Sequence, residues 1–287
     1  MEGAEYVKRL MRPLDPIPTR LDPQLPPLPG ISTVLFDVYG TLLISAAGDV
    51  GMPGKDQRGR LAMAGVNELL EGALTASEEV VAHAFVNLLE EALSGERAKG
   101  VAFPEVDIRI VWTELLKQYA PGTSGLFVDK AALRYECRMN PVWEMPGAVD
   151  LIRRLAGSGI ALGVISNAQN YTHSVFAGVM GGSFEALGID PGLMVFSYEE
   201  GEGKPSLTLY HKMRERLEKR GVAPDTVLYV GNDMNKDILP ARELGFRTCL
   251  FAGDERSLRL GGLSGVEAGA IADAVVTDLS QIGELLK

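Results

Sequence analysis

The chain has 287 residues, 46% of them hydrophobic and 23% charged, the balance of a globular protein long enough to bury a large core. A formal net charge of −10 and a pI near 4.9 argue against a nucleic-acid binder, which needs a basic face to displace counterions from phosphates. Nowhere do about 18 uncharged apolar residues run together and the N-terminus has no apolar leader segment, so a cytoplasmic enzyme with no membrane partner is expected. Cys137 and Cys249 are far apart and match neither C-x-x-C nor a zinc-ligand spacing, so both read as ordinary reduced thiols.

Residues 1–29 carry Pro13, Pro16, Pro18, Pro23, Pro26, Pro27 and Pro29. These remove backbone donors and favour extended conformations, which predicts an arm either laid across the body or loose. An apolar strand, Val34-Leu35-Phe36, then runs straight into Asp37-Val38-Tyr39-Gly40-Thr41. A glycine-rich stretch (Gly48, Gly51, Gly54, Gly59) leads into helical spacing at Val66, Leu69, Leu70, Ala73 and Leu74 and again at Val81, Phe85, Leu88, Leu89 and Leu93. Further helices are expected over Ile108–Tyr119 and Val128–Met139, with no strand-like run between about 45 and 142.

The pattern changes at Pro146-Gly147. A helix over Ala148–Gly157 precedes the apolar run Ile160–Ile165, the charged helical segment Ser206–Arg220 precedes Thr226–Val230, and the helix Ile238–Leu244 precedes Thr248–Phe251. Ala274-Val275-Val276 makes a last strand. Short continuous apolar runs suit strands buried on both faces, and their alternation with helices predicts an α/β fold around a parallel sheet. The expected division is an N-terminal arm over 1–29, a Rossmann-like core over 30–44 and 144–287, and an all-helical insert over 45–143.

Each expected strand ends in polar groups, and in an open parallel sheet the ligand crevice lies outside the carboxyl ends. Asp37 ends the first; Gly40 permits close backbone approach and Thr41 can hydrogen-bond locally, leaving room for a phosphate-sized group. Ser166-Asn167 ends the second with a hydroxyl and an amide, although such a pair alone is commonly just a turn. Lys204 sits in the loop Gly201-Glu202-Gly203-Lys204-Pro205, where an isolated lysine would normally be solvated surface. Gly231-Asn232-Asp233-Met234-Asn235-Lys236-Asp237 concentrates oxygen ligands of the kind hard cations such as Mg2+ prefer, or forms a turn feeding a helix with Asp237 in its first turn.

Taken in this order, D-V-Y-G-T at 37–41, Ser166-Asn167, Lys204-Pro205 and the 231–237 segment resemble the four motifs of the haloacid dehalogenase-like hydrolase superfamily over about 34–246. The resemblance implies that Asp37 is a nucleophile toward phosphorus or carbon and that Lys204 orients it and offsets charge. It also implies that Thr41, Ser166 and Asn167 bind phosphate and that the 45–143 insert is a cap over the site. Mg2+ would be held by Asp37, the Tyr39 backbone carbonyl, Asn232 or Asp233, and Asp237. Counting back from Asp237 leaves the choice between Asn232 and Asp233 open.

Two residues depart from the pattern. Phosphatases of the superfamily carry a second aspartate where this chain has Tyr39, whose reference pKa of about 10 unfits it as a carboxylate-like base near neutral pH. Losing such a group costs about 10²–10⁴-fold in rate. D-x-Y-G-T also resembles the L-2-haloacid dehalogenases, which need no metal, yet here the fourth motif keeps its acidic residues and 48–64 offers Arg58 and Arg60 but no aromatic residue. Three readings therefore stand: first a Mg2+-dependent phosphatase of a small phosphorylated metabolite, then a dehalogenase, then a non-catalytic binding protein, motivated by Tyr39 and Asn232. Trp112, Tyr119 and Trp143 could line the cleft, although buried core is the commoner place for such residues.

Overall fold

Six parallel strands form the central sheet of the computed structural model, which describes residues 2–48, 57–123 and 125–287. The glycine-rich stretch lies partly outside these residues, at Gly51 and Gly54. In chain order the strands are β1 (Thr33–Phe36), β4 (Ala161–Ser166), β5 (Met194–Phe196), β6 (Val227–Gly231), β7 (Arg247–Phe251) and β8 (Ala274–Val276), arranged β5-β4-β1-β6-β7-β8. A separate antiparallel pair, β2 (Leu43–Ser45) and β3 (Val142–Glu144), stands at the two ends of the helical insert.

The sheet strands are buried along nearly their whole length, as continuous apolar runs require when both faces are covered. Phe36 is in register with Val164 on one side and Val230 on the other, and β4 and β6 run on to Ser166 and Gly231, so the carboxyl ends of the three strands lie side by side around Asp37. β5 was not expected from the sequence. It is three residues long, between a Pro-Gly turn and a short helical turn over Ser197–Glu200, too brief for a periodic signal.

The insert consists of α2 (Gln57–Leu69), α3 (Glu78–Ala98), α4 (Ile108–Tyr119) and α5 (Leu126–Met139). The first helix stops at Leu69 and does not reach Leu74, because the backbone turns left-handed at Glu71 and Gly72 (φ +54° and +82°). Ser77 and Asp107 accept backbone N–H bonds at the starts of α3 and α4. Phe85, Trp112 and Tyr135 pack with ring centroids 4.8–5.6 Å apart in the insert's own core. Trp112 is thus core at 1% exposure, and neither Tyr119 nor Trp143 lines the cleft described below.

The N-terminal segment is laid across the body, and its first part is helical. The prolines begin only at Pro13, and α1 (Glu2–Leu10) has acidic residues in its first turn and basic ones in its last, favourable to the helix dipole. It packs against α5 and against α7 (Thr172–Met180), the helix that follows β4 and α6 (Ala148–Gly157). Lys130 pairs with Glu2 at 2.8 Å, and the Arg134 guanidinium lies 4.8 Å from the Tyr6 ring centroid. The proline-rich remainder is extended: Thr19 Oγ1 donates to the Ala252 carbonyl at 2.6 Å, Gln24 bridges Val275 on the outer edge of β8, and Leu28 N–H donates to Leu285 at 2.6 Å. Among the described residues, no helix is long and apolar enough to cross a membrane.

Candidate active site

Asp37 follows β1 directly, its N–H bonded to Val230 of β6 at 2.9 Å, so the backbone pairing of the sheet continues to the carboxylate itself. Its Oδ1 accepts from Ser166 Oγ at 3.0 Å and from Lys204 Nζ at 2.7 Å. Among the described residues Oδ2 accepts no hydrogen bond. The turn beyond it needs glycine: Gly40 has φ +89°, and a Cβ there would lie 2.7 Å from Ser257 and 2.8 Å from Asn232.

Lys204 is the hub. Its ammonium also donates to Asp237 Oδ1 at 2.6 Å and to the Tyr229 hydroxyl at 3.2 Å, and the residue is only 5% exposed. Asp237 is filled from other sides too, Oδ1 accepting from Tyr229 at 3.1 Å and Oδ2 from the Asp233 N–H at 3.0 Å. Asn167 fixes the backbone of the lysine loop by a reciprocal pair: its Nδ2 donates to the Lys204 carbonyl at 3.1 Å, and its Oδ1 accepts from the Lys204 N–H at 2.7 Å.

The electrostatics follow from this crowding. Burial pushes the Asp37 carboxyl up to about 6, with Lys204 pulling down and Asp237 pushing up. Burial disfavours the Lys204 ammonium, but Asp237 and Asp37 together outweigh it and hold its pKa above the ordinary lysine value. Tyr39 is raised well above an ordinary phenol by burial and by Glu136, and its hydroxyl is engaged with Thr172 Oγ1 at 3.0 Å. It cannot supply a base.

The insert reaches this centre. Phe103 and Glu105 form backbone bonds with Gly203 and Gly201 at 2.9 and 3.0 Å, flanking a bridge between Pro104 and Glu202 in the lysine loop. The Glu105 carboxylate accepts from Gln169 at 2.9 Å and from Ser197 at 3.0 Å.

Residues 31–245 match the family described as haloacid dehalogenase-like hydrolase. The chain belongs to that family. A glyceraldehyde 3-phosphate phosphatase of Methanocaldococcus jannaschii is 28% identical over 144 residues, half of this chain and 56% of that relative, so the match spans little more than half of the relative's length. Among solved structures, a 2-haloacid dehalogenase from Pseudomonas syringae pv. Tomato DC3000 superposes with a TM-score of 0.55 at 18% identity, covering 89% of this chain and 97% of its own. A HAD phosphatase from Thermococcus onnurineus gives 0.50 at 16% identity over 89% and 97%. At such identities these two show the shared fold.

In this haloacid dehalogenase-like hydrolase the nine residues singled out from the sequence fall into distinct places. Asp37, Tyr39, Asn167, Lys204, Asn232, Asp233 and Asp237 line one cleft. Ser166 stands directly behind Asp37. Thr41 is buried and donates to Asn232 Oδ1 at 3.1 Å, tying the first motif to the fourth. Asn232 Nδ2 donates to the Ser257 carbonyl at 2.6 Å, and Asp233 Oδ1 accepts from the N–H groups of Asn235 and Lys236, capping the π-helical turn Met234–Ile238.

A hard cation would find oxygens here. Among the described residues no three acidic, histidine or cysteine side chains gather as a cage, but Mg2+ is commonly held by one or two carboxylates with waters and substrate phosphate. Beside the Asp37 carboxylate, the hydrogen bonds leave Asp233 Oδ2 and the Tyr39 carbonyl without a donor among the described residues. That donor set fits the ion.

Sequence reading missed Tyr229, Gly231, Ser257 and Arg259. Tyr229 carried a weak signal, as a phenol inside an otherwise aliphatic strand needs a polar partner when buried. Gly231 is needed for contact: a Cβ there would lie 2.4 Å from Asp237 Cγ. Gly231→Ala is therefore expected to displace the Asp237 carboxylate, to cost about 1–3 kcal/mol as overpacking does, and to slow turnover. Urea denaturation and steady-state rates on the same preparation would check this; unchanged values in both would contradict the contact.

Proposed function

We propose that this hydrolase is a phosphomonoesterase for a small phosphorylated metabolite, using Asp37 as nucleophile with Mg2+. The observation that carries the reading is the asymmetry of Asp37: one oxygen is fixed by Lys204 and Ser166, while the other accepts no bond among the described residues and belongs to a residue lining the cleft. An anchored carboxylate with one free oxygen is oriented for attack. The partial match to a glyceraldehyde 3-phosphate phosphatase supports phosphorus over carbon as the electrophile.

In this mechanism Asp37 Oδ2 forms a bond to phosphorus as the ester P–O bond breaks, and the departing oxygen is protonated at the expense of water. Water then attacks phosphorus, releasing phosphate and restoring the carboxylate. Lys204 holds Asp37 in place and offsets its charge, while Asn167 and Asp237 hold Lys204. Asp233 and the Tyr39 carbonyl would hold Mg2+ beside the Asp37 carboxylate, where the ion would supply charge neutralisation to the phosphoryl oxygens. Tyr39 contributes no proton transfer, which predicts a slow enzyme.

A second reading, halide release from an L-2-haloacid, is motivated by Tyr39 in D-V-Y-G-T. One comparison separates them. Chelation with EDTA is expected to abolish hydrolysis of small phosphomonoesters and Mg2+ to restore it, with no halide released from L-2-chloropropionate above an Asp37→Asn control. Phosphatase activity that survives chelation would remove the metal from the scheme. Metal-independent, Asp37-dependent halide release would replace the phosphatase reading altogether.

A further inference from the structure

We propose that Arg259 forms a subsite, at the mouth of the Asp37 cleft, for a second oxyanion on the substrate's organic tail. The inference rests on the phosphomonoesterase reading and extends it to the substrate class: esters bearing an additional carboxylate or phosphate.

The cleft has a floor and a rim. Asp37 and Lys204 are buried at 6% and 5% exposure, whereas Arg259 is exposed yet lines the same cleft. The floor ammonium is already committed to two carboxylates, at 2.7 and 2.6 Å, and has no charge to spare for a substrate tail. The rim guanidinium is in the opposite condition. Its Nη1 donates to the carbonyls of Arg256 and Leu258 at 2.8 and 3.0 Å, and its Nη2 lies 3.4 Å from the Gly48 carbonyl. All three partners are neutral.

Among the described residues Arg259 has no carboxylate within ion-pairing distance, in a chain of net charge −10 where neighbouring Arg256 is paired with Asp254 at 3.0 Å. The carbonyls hold the fork without cancelling its charge, and they leave Nε–H and an Nη2 hydrogen for a ligand. A guanidinium so presented matches the two oxygens of a carboxylate or phosphate.

Position 259 is also fixed relative to the reacting centre. Its N–H donates to the Asn232 carbonyl at 3.0 Å, and its carbonyl accepts from Met234 N–H at 2.8 Å, so the arginine backbone is paired to the fourth motif on both sides of Asp233. Asp233 lines the same cleft and Lys236 lies beside it there. The backbone that carries Arg259 is thus anchored to the loop that bears Asp233, at the rim of the cleft that Asp37 lines.

The test uses a matched pair of two-carbon esters with Mg2+, 2-phosphoglycolate with its carboxylate and 2-hydroxyethyl phosphate with a neutral alcohol. Wild type should favour the carboxylate ester in kcat/KM. Arg259→Gln should lower that preference about tenfold, the scale of one charged hydrogen bond, mainly through KM. Arg259→Lys, which keeps charge but loses the fork, should retain part of it. An equal loss on both esters, or an unchanged ratio, would overturn the subsite. Titration calorimetry of 2-phosphoglycolate into Asp37→Asn protein, with and without Arg259→Gln, reads binding apart from turnover, and equal affinities there would also overturn it. Wild type that hydrolyses neither ester would defeat the phosphomonoesterase reading instead, while the calorimetric arm still decides the subsite.

Discussion

Lys204→Met is expected to cost about 3–5 kcal/mol of folding stability, the usual penalty for removing one partner of a buried ion pair, and to remove measurable turnover. One ammonium neutralises two carboxylates, at 2.7 Å from Asp37 and 2.6 Å from Asp237, and all three groups are buried. Without it, two anions face each other in a low-dielectric interior and must take up protons or move apart. The lysine's folded pKa is raised, so its contribution is complete below the ordinary lysine pKa and fades only as pH climbs through the higher folded value. The loss should therefore be full at neutral pH. Urea denaturation of both proteins at pH 7 would measure it, and adding Asp237→Asn to Lys204→Met should restore part of the stability. A loss below about 1 kcal/mol, the scale of an exposed pair, would mean that the ammonium is not the hub.

Asp37→Asn should behave oppositely, leaving a folded protein with no chemistry. Asparagine keeps an amide oxygen for Ser166 and Lys204 but has no anionic oxygen to attack, and a drop of about 10⁴-fold or more is expected from losing a nucleophile. Because burial raises the Asp37 carboxyl to about 6 in the folded protein, its ionisation opposes folding. The contribution of this group is fully present below the unfolded carboxyl pKa and is lost as pH rises through about 6. At pH 7 the variant should accordingly be at least as stable as wild type. In wild type kcat/KM is expected to fall on the acid side as the nucleophile takes its proton, at a pH that Mg2+ beside the carboxylate moves down from the metal-free value. Thermal melts and a pH–rate profile check both halves. Undiminished turnover by Asp37→Asn would end the nucleophile assignment.

Sequence reading did best where burial leaves a pattern. Thr226–Val230 and Thr248–Phe251 were legible because strands covered on both faces must be continuously apolar. The placement of Asp37, Lys204 and Asp237 was legible only through their order along the chain, since nothing local distinguishes Lys204 from a surface lysine. What the sequence hid is long-range register. That the Tyr229 phenol meets Lys204 and Asp237 depends on how β6 aligns with β1, and that Arg259 reaches the cleft depends on pairing between its loop and Asn232–Met234. The helical opening of the arm was obscured by prolines that begin only after it.

The backbone stitch between Phe103–Glu105 and Gly201–Gly203 has a mechanical result. Any swing of the helical insert must carry the 103–105 strip with it or break two peptide hydrogen bonds, and that strip is paired directly to the loop bearing Lys204. The position of the insert and the seating of the lysine that anchors the reactive carboxylate are thereby mechanically linked.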